Sequence, residues 1–135
     1  MSARVTLVVA AALYDRAGRV LIAQRPAGKH MAGRWEFPGG KVTAGESERE
    51  ALLRELREEL GISVTAARPL MRLTHSYEDR DVELSLWIVE RFAGEPEALD
   101  GQRLKWVAPA RLARQDMLEA DRPFIEALGS LPAPG

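Results

Sequence analysis

The sequence predicts an α/β fold. Five runs of β-forming residues, at 4–14, 19–25, 67–75, 82–92 and 103–107, are separated by turn residues. One long amphipathic helix, over residues 46–60, interrupts them, and two short helical segments at 109–113 and 120–128 follow the last strand. The first run is the longest apolar stretch and holds a single Thr. It falls well short of the roughly 20 apolar residues needed to cross a bilayer. A secretory leader would use Arg4 as its basic start and the alanines as its cleavage site. The valine content and the turn Asp15-Arg16-Ala17-Gly18 behind it favour a buried strand instead. Runs 4–14 and 19–25 are therefore expected to pair as a hairpin. Residues 26–33 form a loop, Trp35-Glu36-Phe37 a short apolar piece, and Pro38-Gly39-Gly40 breaks the chain behind it.

The helix carries its own boundaries. Ser47 with Glu50 three residues on makes a capping box. Leu52, Leu56 and Leu60 recur every fourth residue as a core stripe, with Leu53 beside it, and Gly61 is the stop. Strands 67–75 and 82–92 flank the polar turn Glu78-Asp79-Arg80-Asp81, and residues 94–101 form a further loop.

Composition bounds the function. The 135 residues suit one domain, expected over residues 1–128, with a flexible tail at 129–135. Nineteen Lys and Arg against 20 Asp and Glu give a formal charge of −1, which excludes a strongly basic nucleic-acid binder. The absence of cysteine excludes disulfides, thiolate nucleophiles and cysteine-ligated metals, and two histidines cannot build a His-rich site. With no address motif, the expected compartment is the cytoplasm, with no membrane and no nucleic acid as partner and the monomer as the expected state.

One cluster carries chemistry. Glu55, Glu58 and Glu59 stand at i, i+3 and i+4, on one face of the helix and away from the leucine stripe. Like charges this close repel unless a cation neutralises them. A hard divalent ion with oxygen ligands does so, and so would pairing with Arg54 and Arg57 on a solvated face. The glycine-rich approach Pro38-Gly39-Gly40-Lys41, leading through Gly45 into the helix, favours a metal–phosphate site, since glycine lets backbone come close to a ligand.

Taken together, these residues form a pattern. Gly40 is followed after five residues by Glu46, and after seven more by Arg54-Glu55-Leu56-Arg57-Glu58-Glu59-Leu60-Gly61-Ile62. This resembles the signature of the Nudix hydrolases, with every defined position filled. Ala23-Gln24-Arg25-Pro26, His30-Met31-Ala32, the segment from Trp35 to Lys41, and Ala120-Asp121-Arg122-Pro123 extend the likeness to the MutT-like branch over almost the whole chain.

The resemblance implies an α/β/α sandwich with a mixed β-sheet flanked by helices, the signature forming loop, helix and loop. It implies Mg²⁺, with Mn²⁺ as a substitute, held by the Gly39 carbonyl, Glu55, Glu58 and Glu59. Asp100 stands where the branch has a further acid, one methylene longer. Glu55 is the implied general base, Arg54 its orienting partner, and Glu46 the tie between loop and helix. Arg25, His30, Phe37 and Arg80 match positions near the substrate.

Asp121 departs from the branch, which has Asn there. An ionised Asp only accepts hydrogen bonds, whereas Asn both donates and accepts. A protonated Asp would restore the donor for a guanine O6, while an acceptor-only Asp suits the amine of cytosine. A third reading makes Asp121 the N-cap of the last helix. The resemblance thus implies hydrolysis of a nucleoside triphosphate to monophosphate and pyrophosphate. The leading substrate is 8-oxo-dGTP, as in the sanitising diphosphatases. CTP or dCTP hydrolysis and a non-catalytic nucleotide-binding module are the alternatives.

Overall fold

The computed structural model describes residues 5–29 and 31–131. Seven strands and two α-helices follow in the order β1 (Val5–Leu13), β2 (Val20–Gln24), β3 (Trp35–Glu36), β4 (Gly39–Lys41), α1 (Glu48–Leu60), β5 (Ser63–Ser76), β6 (Asp81–Ala93), β7 (Arg103–Val107) and α2 (Arg122–Gly129). Short 3₁₀ turns at Pro109–Arg114 and Glu119–Asp121 lead into α2. The strands form two sheets. One is mixed, in the order β4-β1-β6-β5, with β1 and β6 parallel and the other neighbours antiparallel. The other is antiparallel, in the order β3-β2-β7. The expected mixed sheet is present, and a second sheet stands beside it.

The expected hairpin of β1 and β2 does not form. Its turn does: the Asp15 carboxylate accepts the backbone N–H groups of Ala17 and Arg19, and Tyr14 and Val20 make one antiparallel bridge. Beyond that bridge β2 departs to the second sheet. A long hairpin is blocked because β6 holds one edge of β1 along its whole length and β4 holds the other at Val8–Ala10.

Alternation along β1 sends its side chains into two cores. Val9, Ala11 and Leu13 meet Leu52, Leu56 and Leu60 of α1, with Leu21, Ile62, Trp87 and Val89. Ala10, Ala12 and Tyr14 face the opposite way and pack with Leu86, Ile88, Leu112, Phe124 and Leu128. Helices thus cover the two sides of the mixed sheet, α1 on one and α2 with the 3₁₀ turns on the other. Leu131, past the end of α2, packs on the second core, and residues 132–135 of the expected tail lie outside the described residues. No helix among the described residues is long and apolar enough to cross a membrane.

Helix α1 starts and stops where its chemistry requires. Ser47 Oγ accepts the Glu50 N–H at 3.1 Å while the Glu50 carboxylate accepts the Ser47 N–H at 2.9 Å, which closes the capping box. Gly61, at φ 70°, takes the left-handed conformation and donates to the Arg57 carbonyl. Strand β5 begins four residues earlier than the sequence pattern indicates. Register shifts between Val64 and Ala67 and between Pro69 and Met71 break its alternation, which hides the strand from a period-two reading. Since Leu52, Leu56 and Leu60 are wholly buried, Leu56→Ala should lower unfolding free energy by about 2–5 kcal/mol in a urea titration. A loss below about 1 kcal/mol would show that the helix is not held by this stripe.

Candidate active site

The site begins where β4 lies against β1. A β-carbon on Gly39 would fall 2.0 Å from the Val9 carbonyl oxygen, so no larger residue fits there. On Gly40 a β-carbon would fall 2.4 Å from the Glu55 carboxyl carbon. The bare backbone at Gly40 therefore lets the Glu55 carboxylate lie against β4. This explains physically why a glycine precedes the acid helix at this spacing.

Arg54 gathers the surrounding acids. Its Nε donates to Glu46 Oε2 at 2.6 Å and one Nη2 N–H to Glu46 Oε1 at 3.0 Å, a two-pronged pair. Nη2 also donates to the Lys41 carbonyl at 3.0 Å. Nη1 donates to Glu55 Oε1 at 2.9 Å and to Glu58 Oε2 at 3.3 Å. Glu46 also accepts from the Thr43 N–H and hydroxyl. With these donors around it, chiefly Arg54, the Glu46 carboxyl is held at about 2. The Arg54 guanidinium is pushed above its ordinary value by the same contacts.

Glu59 is in the opposite situation. Burial, then the charge of Glu55 and a hydrogen bond with it, and then the charges of Glu36 and Asp100 push its carboxyl up to about 8. The charges of acids on α1, β3 and the loop before β7 thus add to burial at Glu59 and favour a proton or another cation there. Glu58 stands apart: its side chain is 60% exposed and turns towards Arg54. Accordingly, among the described residues no three carboxylate or imidazole side chains converge on one point. The donors are carboxylate and carbonyl oxygens, and their charge is uncompensated at Glu59. This is a set that fits a hard divalent cation.

A second group of residues lies deeper. Asp121 is 5% exposed and is the one buried carboxylate among the described residues. It occupies the N-cap position of α2, yet its side chain makes no capping bond. Instead its Oδ2 accepts the Phe37 N–H at 3.4 Å. The N-cap reading of Asp121 is thereby corrected: the carboxylate reaches across the fold to Phe37, directly after β3, and not along its own helix. Burial, and next the charge of Glu36, raise it from the ordinary 3.8 to about 7. The Phe37 ring is 3% exposed and packs 6.4 Å from the Phe124 ring, so the ring belongs to the core while the backbone faces Asp121.

Arg25 donates from Nη1 to Glu36 Oε1 at 3.0 Å, and Glu36 is raised by burial despite that partner. The charge of Glu36 raises both Glu59 and Asp121 and so couples the two groups. The sequence reading passed over it. A lone acid between two aromatic residues in a two-residue strand was the signal available. Arg80 stands on the turn into β6, its Nε buried and without a hydrogen-bond partner among the described residues. No hydrogen bond or ion pair joins it to Glu36 or Asp121 among those residues. His30 lies outside the described residues.

An acid helix behind a glycine strand, on a sandwich of this topology, defines a Nudix hydrolase. Residues 9–127 match the NUDIX domain family, and the chain belongs to it. It is MutT-like within that family. It is 42% identical over 125 residues to the CTP pyrophosphohydrolase of Escherichia coli (strain K12), covering 93% of each chain. It is 38% identical over 112 residues to the 8-oxo-dGTP diphosphatase of the same organism, covering 83% of this chain and 87% of the other. A solved MutT structure from work on Aliivibrio salmonicida and Vibrio cholerae superposes with a TM-score of 0.83 at 34% identity, covering 94% of this chain and 98% of that one. Nudix hydrolases generally use divalent metal ions.

The raised Asp121 carboxyl has a signed consequence. The folded state holds its proton more tightly than the unfolded chain does. The stability tied to this group is therefore whole below pH 3.8, falls as pH rises, and is lost above about pH 7. Asp121→Asn keeps an acceptor for the Phe37 N–H and removes the titration. It should raise Tm by about 5 °C or more at pH 8 and by about 1 °C or less at pH 4. An equal gain at both pH values would exclude the ionisation of Asp121 as the cause.

Proposed function

We propose that the chain is a MutT-like nucleotide pyrophosphohydrolase that converts a nucleoside triphosphate and water to nucleoside monophosphate and pyrophosphate. The observation that carries this reading is the carboxylate set of α1, with Glu55 seated on Gly40 and oriented by Arg54. In this reading Glu55, Glu58, Glu59, the Gly39 carbonyl and Asp100 would hold Mg²⁺, with Mn²⁺ able to replace it. When bound, such a cation neutralises phosphate charge and polarises phosphoryl oxygens.

The protein's own groups do the rest. Glu55 takes the proton of the attacking water as general base, and Arg54 fixes the rotamer from which it does so. Glu46 holds Arg54, so the loop and helix move as one unit. Arg25 and Arg80 supply guanidinium donors to the substrate, and His30 is assigned a substrate-binding role with them. Phe37 and Asp121 read the base edge, the first through its backbone and the second through its carboxyl.

The leading substrate is 8-oxo-dGTP, which would make the chain a sanitiser of the nucleotide pool. A neutral Asp121 offers guanine O6 a donor and supports that choice. A second substrate reading, CTP or dCTP, is favoured by the same residue in its ionised form, since an acceptor suits the cytosine amine. The relative named for CTP aligns over 93% of the chain and the one named for 8-oxo-dGTP over 83%. Residues 1–128 form one domain in this reading, and the chain acts as a monomer in the cytoplasm. The formal charge of −1 supports a nucleotide partner over a nucleic acid.

The test is Mg²⁺-dependent pyrophosphate release from 8-oxo-dGTP, dGTP, CTP and dCTP, with kcat/KM compared across the four. Glu55→Gln should lower kcat on the preferred substrate by about a hundredfold or more. A preference for the cytosine nucleotides would keep the reaction and replace the substrate. Failure to turn over any of them, with nucleotide still bound, would favour the non-catalytic binding module.

A further inference from the structure

Gln102 is half-buried, directly before β7, and both ends of its amide are engaged. Its Nε2 donates to the Glu59 backbone carbonyl at 3.2 Å, and its Oε1 accepts the Asp100 N–H at 2.9 Å. The two partners are an acceptor and a donor, so only one orientation of the amide satisfies both. The Glu59 and Leu60 carbonyls belong to the last turn of α1, where the helix itself supplies no N–H partner. The Leu99 N–H already serves Glu59 at 3.1 Å, and the Glu97 N–H serves Leu60 at 3.0 Å. The Glu59 and Leu60 carbonyls thus each have a backbone donor without Gln102. What its side chain adds is a direct link between the backbone of Asp100 and that of Glu59. The link spans separate parts of the fold, since β7 lies in the second sheet and α1 covers the first.

We propose that Gln102 is a positioning residue that fixes the Asp100 carboxylate relative to Glu59 and so sets the geometry of the cation site in advance. This rests on the reading of Asp100 and Glu59 as cation ligands. An exposed loop acid has many accessible rotamers and backbone states, and tethering its N–H reduces the freedom that cation binding would otherwise remove. Asp is also a short ligand here, one methylene less than Glu, so its reach depends on where the loop backbone is held.

The experiment is Mn²⁺ binding to the full-length chain without nucleotide, read by the loss of the free-ion electron paramagnetic resonance signal. Five proteins are compared: wild type, Asp100→Asn, Glu59→Gln, Gln102→Met and the double variant of Asp100→Asn with Gln102→Met. Gln102→Met keeps the volume and removes both hydrogen bonds. Gln102→Ala serves as the second variant if thermal melts show the first to be unfolded. Asp100→Asn and Gln102→Met should each weaken Mn²⁺ roughly tenfold. The double variant should also lie about tenfold below wild type, because Gln102 acts through Asp100. A double variant weakened about a hundredfold would show independent action and overturn the proposal, as would unchanged affinity in Gln102→Met. If Asp100→Asn leaves affinity unchanged, the proposal falls together with Asp100 as a ligand. A loss of Mn²⁺ binding in Glu59→Gln would still leave the helix ligands standing, so the two failures are distinguishable.

Discussion

The guanidinium of Arg54 is the interaction on which the site depends. Its five N–H groups meet Glu46 twice, Glu55, Glu58 and the Lys41 carbonyl. Without that charge, three carboxylates would stand close together at the junction of loop and helix and drive the two apart. With it, the loop after β4 is tied to the middle of α1. That tie in turn brings Glu55 onto Gly40, where only bare backbone leaves room. A lysine has no planar fork and fewer donors, so it could not hold Glu46 with two bonds and reach Glu55 as well.

Arg54 neutralises one side of the helix face and leaves the other side charged. Burial first, and then the charges of Glu55, Glu36 and Asp100 from three different segments, drive the Glu59 carboxyl up to about 8. A fold selected only for stability would not concentrate acids in this way. Perturbed carboxylates with specific charge neighbours are a mark of a working site. The same reasoning applies to Asp121, which is buried, accepts a bond from Phe37, and feels the charge of Glu36. The charge of Glu36 therefore acts on both the acid helix and the buried Asp121.

The framework around this site is rigid for ordinary reasons. The parallel pair β1 and β6 forms the centre of the mixed sheet, and each of its faces is buried under helices. The site lies where α1, β4, β3 and the loop before β7 meet, so its residues are anchored from both sheets. Small displacements of any one segment would be resisted by packing in two cores at once.

Much of this was legible in the chain. The capping box, the leucine stripe and Gly61 define α1 locally, because capping and helical periodicity depend on neighbours within a turn. The spacing of Gly40, Glu46, Arg54, Glu55, Glu58 and Glu59 was legible for the same reason, and it named the family. Strand β7 was read at its observed bounds. What the sequence could not decide was which strand pairs with which. The turn after β1 is built for a hairpin, yet β1 has no edge free along its whole length to offer β2, and edge occupancy depends on strands distant in sequence. Bulges concealed the start of β5. The contacts of Glu36, Asp121 and Gln102 were decided across the fold as well. Asp121 meets Phe37 84 residues away, and Gln102 meets Glu59 43 residues away. Local pattern determined the elements and the acid helix; tertiary packing decided the pairing, the burial and the company each charge keeps, because those depend on contacts that no stretch of sequence contains.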